Sequence, residues 1–205
     1  MPCSSGCEDH NHEQDIEPFK KESLLGNIDI DNIRCLNEAE EDSAKQVFKP
    51  YEDCLSEEKF LRSDCDEQLL IFVPFTGQVK LKSISLKVGR GGSAPDKMKV
   101  YINHESIDFD TVEDLEEVQS WDLVSEHDGV IEYNTRISKF NRVRNLTLFF
   151  PSNFGNDSTI IYYIGLRGEF MEMKQAPIVT VYEVQPNVKD HKIPGIGNTN
   201  NHQIG

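Results

Sequence analysis

From residue 69 onward the chain is written in short blocks of strand length. Residues 69–73 form a continuous apolar run, and the following Pro74-Phe75-Thr76-Gly77 reads as a turn that closes the strand. Val79 and Leu81 alternate with Lys80 and Lys82, and then the apolar parity moves to Ile84, Leu86 and Val88. A one-residue slip sends the apolar set to the opposite face, so a β-bulge or bend is expected near Ser83. Residues 89–95 read as a turn cluster. Met98, Val100 and Ile102 alternate with Lys97, Lys99 and Tyr101, which describes a half-exposed antiparallel strand. Weaker strands are expected at 121–124 and 130–133, and a stronger one at 146–150. Residues 159–166 are apolar on both parities, as in a central strand covered on both faces. Residues 178–184 would be the last strand.

Upstream, Leu24, Leu25, Ile28, Ile30, Ile33 and Leu36 suit either a short helix or an edge segment laid across a core. Residues 38–42 are a solvated charge run, and Val47-Phe48-Lys49-Pro50-Tyr51 is a small apolar anchor. No long amphipathic helix lies between the strands, so parallel βαβ units are excluded. About eight strands in one domain imply an antiparallel sandwich or barrel. The expected organisation is a disordered leader at 1–20, one domain with an N-terminal arm at 21–186, and a flexible tail at 187–205.

Composition narrows the partners. The chain has 205 residues, enough for one domain with tails, and a formal net charge of −15. That charge opposes nucleic acid and anionic membrane surfaces, whose binding draws on Lys and Arg. No window approaches the run of about 18 apolar residues that a membrane span needs. The first fifteen residues are polar and acidic, unlike a secretory or mitochondrial leader. Five cysteines are an odd number with no dense spacing, so no disulfide framework is indicated. A reducing compartment is expected: the cytoplasm, with the nucleus also open. In that compartment the sequons at Asn145 and Asn156 are chance matches.

The search for chemistry returns little. His10, His12, His191 and His202 lie in the expected tails, and His104 and His127 in connections, with no nucleophile elbow or metalloprotease helix nearby. Gly89-Arg90-Gly91-Gly92 lacks the Lys-Ser/Thr of a phosphate loop and reads as a turn. The acidic residues from Asp108 to Glu117 lack calcium-loop spacing and read as a solvated face. Cys3, Cys7, His10 and His12 supply two thiols and two imidazoles, a candidate zinc or copper tail, set against an unstructured leader. No enzymatic activity and no cofactor are expected, and the chain is expected to be a monomer.

Several blocks together are more specific. Asp64-Cys65-Asp66-Glu67-Gln68-Leu69-Leu70 and Ile71-Phe72-Val73-Pro74-Phe75-Thr76-Gly77-Gln78-Val79-Lys80-Leu81-Lys82 resemble the signature of the PITH domain. Ile137-Ser138-Lys139-Phe140, Asn153-Phe154-Gly155 and Tyr162-Tyr163-Ile164-Gly165-Leu166-Arg167-Gly168-Glu169 agree with it, as do Cys35-Leu36-Asn37-Glu38 and Val47-Phe48-Lys49-Pro50. The PITH domain is the proteasome-interacting domain at the C-terminus of a thioredoxin-like protein. No Cys-X-X-Cys pair precedes it here, so the chain resembles a stand-alone member and redox activity is not carried over. The resemblance implies a galactose-binding-like jelly-roll β-sandwich and a protein-interaction adaptor that associates with the 26S proteasome. A carbohydrate- or small-ligand-binding domain is the alternative that the fold suggests. Arg167 and Glu169 are expected at the sandwich rim as partner contacts, with an Arg–Glu pair between strands as the competing account. Asn153, Phe154, Pro74, Phe75, Thr76 and Gly77 are divided between loop shaping and contact. His191 and His202 would add contacts from the tail. Trp121 is expected to pack in the core rather than serve as a sugar platform.

Overall fold

The computed structural model describes residues 22–171, apart from residue 126. The described residues fall in one compact unit, and residues 174–205 lie outside them. The expected leader, the tail and the strand at 178–184 also lie outside them. The described residues contain eight strands: β1 (Arg34–Leu36), β2 (Leu61–Arg62), β3 (Leu69–Val88), β4 (Lys97–Ile102), β5 (Gln119–Asp122), β6 (Ile131–Asn134), β7 (Val143–Phe150) and β8 (Ile160–Met171). Two single helical turns accompany them, α1 (Ser43–Gln46) and α2 (Phe109–Val112). Every strand pairing is antiparallel.

The long strand β3 belongs to both layers. Its first part, Leu69 to Pro74, pairs with β1 on one side and β7 on the other, and β4 and β5 continue that sheet. Its second part, from Gln78 to Val88, pairs with β8 and β6. Pro74-Phe75-Thr76-Gly77 is therefore not a turn, which corrects the sequence expectation. The strand bends through these residues and exchanges partners, with a register shift against β7 between Pro74 and Val79. Pro74 is tolerated because a proline lacks only the donor, and its carbonyl accepts from Asp29 N at 2.9 Å. The parity slip has its counterpart in a register shift against β8 between Leu81 and Ser83.

Leu69, Ile71, Val73, Leu81, Leu148 and Ile164 sit between the layers, each at most 1% exposed. The apolar run at 69–73 reflects a second cover. Leu70, Tyr101 and Phe149 on the outer face pack with Val112 of α2. The acidic segment thus hides a helical turn, whose N-cap Asp108 forms a capping box with Thr111. The outer face of the second sheet is covered by the arm: Tyr163 is 5% exposed and Lys87 4%. The arm also shields the free edge of β8. Leu24 N donates to Leu166 O, Ile164 N to Val47 O and Gly168 N to Glu22 O, so β8 offers no open ladder there. The ambiguous 24–36 segment is two 3-10 turns, Leu25–Asn27 and Ile30–Asn32, leading into β1.

Candidate functional site

Three loops close one end of the sandwich: residues 89–96, 123–130 and 151–159. They are tied main chain to main chain. Asp96 N donates to Ser152 O at 3.1 Å, Phe154 N to Ala94 O at 3.1 Å and Asn156 N to Gly92 O at 3.2 Å. Leu123 N to Asp96 O, at 2.7 Å, draws in the third loop. Gly92 permits this approach, since a Cβ there would lie 2.7 Å from the Asn156 amide oxygen. Asn153 organises the tip. Its Oδ1 accepts from Gly155 N and Asn156 N, and its Nδ2 donates to Asn156 O and Thr159 Oγ1. Gly155 completes the turn at a φ of +114°, where L side chains are strained. On this fixed backbone Phe154 stands 45% exposed, and Val124 of the third loop is 52% exposed.

Beside the rim lies a cleft lined by Glu57, Gly89, Arg90, Ser93, Ile160 and Tyr162. Asn156 Nδ2 donates to Ser93 Oγ at 2.7 Å and joins cleft to rim. Arg90 reaches Asp128 at 3.1 Å and Glu57 at 3.8 Å. A hydrogen bond from Lys87 holds the Glu57 carboxyl below its usual range, and the ring of Phe60 meets Tyr162 edge-on at 6.1 Å. The residues from Leu55 to Phe60 were not singled out in the sequence. The signal was there: two large apolar side chains, Leu55 and Phe60, on either side of the charged run Glu57-Glu58-Lys59.

The other predicted residues are placed differently. Phe75 is 8% exposed and bridges to Ile28, Thr76 Oγ1 donates to Asn27 O, and the Phe170 ring lies against Gly77. Of that block only Thr76 is exposed. Arg167 and Glu169 do not emerge at the rim; they lie within β8. Arg167 bonds Glu132 at 2.6 Å and Glu22 at 3.2 Å, and Lys82 bonds Glu22 at 2.7 Å and Glu169 at 2.8 Å. Arg167 thus reaches across β3 to Glu132 of β6 and out to Glu22 of the arm, rather than pairing with a Glu of a neighbouring strand. Hydrogen bonds from Lys82 depress the carboxyls of both Glu22 and Glu169. Trp121 is partly buried against the core, edge-on to Tyr133. Cys3, Cys7, His10, His12, His191 and His202 lie outside the described residues. Among the described residues no three His, Cys, Asp or Glu side chains come together as a metal site. His127 Nδ1 accepts from Gly129 N, and burial pushes the Cys54 thiol up.

The described residues form a galactose-binding-like jelly roll with one exposed phenylalanine, Phe154, on the loops at one end. Their fold resembles the CBM32-1 and CBM32-2 domains of Clostridium perfringens ZmpB in complex with GalNAc (TM-score 0.57, 14% identity), over 80% of this chain and 40% of that one. It also resembles the family 32 CBM of C. perfringens NanJ in complex with galactose (TM-score 0.52, 8% identity), over 71% of this chain and 97% of that one. The sequence profile of the PITH domain matches residues 14–186. PITH domain-containing protein 1 of Dictyostelium discoideum is 40% identical over 186 residues, 91% of this chain and 92% of the relative. The Homo sapiens protein of the same name is 41% identical over 167 residues, 81% of this chain and 79% of the relative. The chain belongs to the PITH domain family.

Proposed function

We propose that this chain is a non-enzymatic protein-interaction adaptor that docks on the 26S proteasome, in the cytoplasm and nucleus and as a monomer. The observation that carries the docking reading is Phe154, displayed on a backbone fixed by neighbouring loops. An exposed aromatic on a pre-ordered loop loses little conformational freedom on binding, which is the character of an interface anchor. The proteasome enters through the PITH resemblance. The net charge of −15 supports a protein partner over nucleic acid or membrane. Within this reading Glu169, 53% exposed, together with His191 and His202, supplies further candidate contacts, while Arg167 fixes the arm.

The test is co-sedimentation of the purified chain with purified 26S proteasome. Phe154→Ser should bind at least about ten-fold more weakly with an unchanged melting curve. Absence of co-sedimentation by the parent would refute the partner. The cleft favours a second reading, a carbohydrate-binding domain, because an aromatic wall, a carboxylate, a guanidinium and a hydroxyl converge there. Binding of galactose or GalNAc that is lost in Tyr162→Ala, with no proteasome binding, would favour it instead.

A further inference from the structure

The loop of residues 54–60, between the Tyr51–Asp53 turn and β2, is held from two sides. Lys87 Nζ rises from β3 and donates to Leu55 O at 2.6 Å and to Glu57 Oε1 at 2.9 Å. From the arm, Lys49 Nζ donates to Ser56 O at 2.8 Å, so two ammonium groups grip adjacent carbonyls. Cys54, the first residue of the loop, is buried, and Phe60 rests edge-on against Tyr162. Holding the loop this way has a cost, because Lys87 is only 4% exposed. Burial, and then repulsion from Lys87, lowers the pKa of the Lys49 ammonium.

The side chains this pinned loop turns outward include Leu55 at 59% exposure and Phe60 at 40%. Asp53, Glu57 and Glu58 are exposed around them, with Lys59 as the one cation of the loop. The Glu57–Arg90 contact continues this surface to the cleft, and Asn156–Ser93 continues it to Phe154. The loop, the cleft and the rim are therefore contiguous.

We infer that the 54–60 loop is a second anchor of the docking face, seating Leu55 and Phe60 in an apolar groove of a partner protein rimmed by Lys and Arg. This rests on the docking reading above. Charge selects the occupant. Glu57 is engaged by Lys87 and Arg90; the exposed carboxylates of Asp53 and Glu58, on a chain of net charge −15, disfavour a second copy of the chain and favour a basic-rimmed groove.

The test measures equilibrium binding to purified 26S proteasome. Leu55→Ser and Phe60→Ser should each bind at least about ten-fold more weakly while melting like the parent. Leu55, outward-facing, separates contact from any packing change at Phe60. Glu58→Lys should also weaken binding, and raising salt from about 50 to about 300 mM should weaken the parent. Both serine variants binding within about two-fold of the parent, or tighter binding by Glu58→Lys, would overturn this anchor and leave the Phe154 reading standing. A parent that does not bind the proteasome removes the docking reading and this anchor together.

Discussion

Gly168 offers a sharp test of how the arm, β8 and β3 fit together. A Cβ at this position would lie 2.1 Å from Lys80 O and 3.0 Å from Lys80 C, with Leu24 Cδ1 at 3.1 Å on the arm side. Contact at van der Waals distance needs about 3.5 Å, so β8 and β3 would have to part by on the order of 1 Å. The obstacle is backbone within a ladder and cannot turn aside as a side chain would. The parting strains a ladder bond beside the Leu81–Gly168 pair, whose own N–H groups donate to Phe140 O and Glu22 O, and with it the bond from Gly168 N to Glu22 O. Two weakened bonds at about 1 kcal/mol each, plus overpacking of about 1–3 kcal/mol, give a loss of roughly 3–5 kcal/mol for Gly168→Ala. For a domain of this size that is a fall of roughly 6–20 °C in Tm. Gly26→Ala is the control: nothing lies within 4 Å of its added Cβ, so it should be neutral or gain up to about 1 kcal/mol. Urea unfolding of both variants, followed by near-UV dichroism, measures the contrast. A Gly168→Ala variant within about 1 kcal/mol of the parent would refute the close β3–β8 packing.

Leu148→Ala and Ile164→Ala, at sites 0% and 1% exposed, should each cost roughly 2–5 kcal/mol in the same assay, against about 0.5 kcal/mol or less for Lys99→Ala. The carboxyls of Glu22 and Glu169 are depressed in the fold, so their stabilisation is present above the unfolded carboxylate pKa and is lost as pH falls through the folded values. Melting temperatures taken from neutral to acid pH should therefore fall, and Lys82→Met should flatten that fall; an equally steep profile would refute the shared-lysine account. Iodoacetamide should label exposed Cys65 in the folded chain, but buried Cys54 only after unfolding, as read by peptide mass spectrometry. Because a hydrogen bond to Asp64 pushes the Cys65 thiol up, Asp64→Asn should speed its labelling near neutral pH.

The alternation of apolar and polar residues carried the strands, because a half-buried strand writes its faces directly into the sequence. It misplaced Pro74 to Gly77, since a proline and a glycine inside a bend look the same as in a turn. Only tertiary partners distinguish the two: β7 and β8 on either side of the bend, and Asp29 N on the Pro74 carbonyl. Helix α2 was hidden because one turn shows no period, although Asp108 and Thr111 did encode its cap. Arg167 was legible as charged but not as enclosed, since its surroundings come from Glu22 and Glu132, 145 and 35 residues away. Much of the family resemblance proves to be arm anchorage. Asn37, at φ 69°, donates to Asp66 and Gln68 and accepts from Cys65 N, while Glu38 accepts from Ser43 and Ala44. Phe154 was legible as a loop residue, but its rigidity depends on three loops that only the fold brings together.

The sharing of β3 between both sheets has a consequence for synthesis. Among the described strands that pair with it, β1 alone precedes it; β6, β7 and β8 all lie further on, the last ending at Met171. A nascent chain that has exposed β3 can complete neither layer until β7 and β8 have also left the ribosome. Until then a long apolar strand with unpaired edges waits in the open, so folding should be slow, late and nearly all-or-none, and a holdase that covers strands is the assistance such a chain would need.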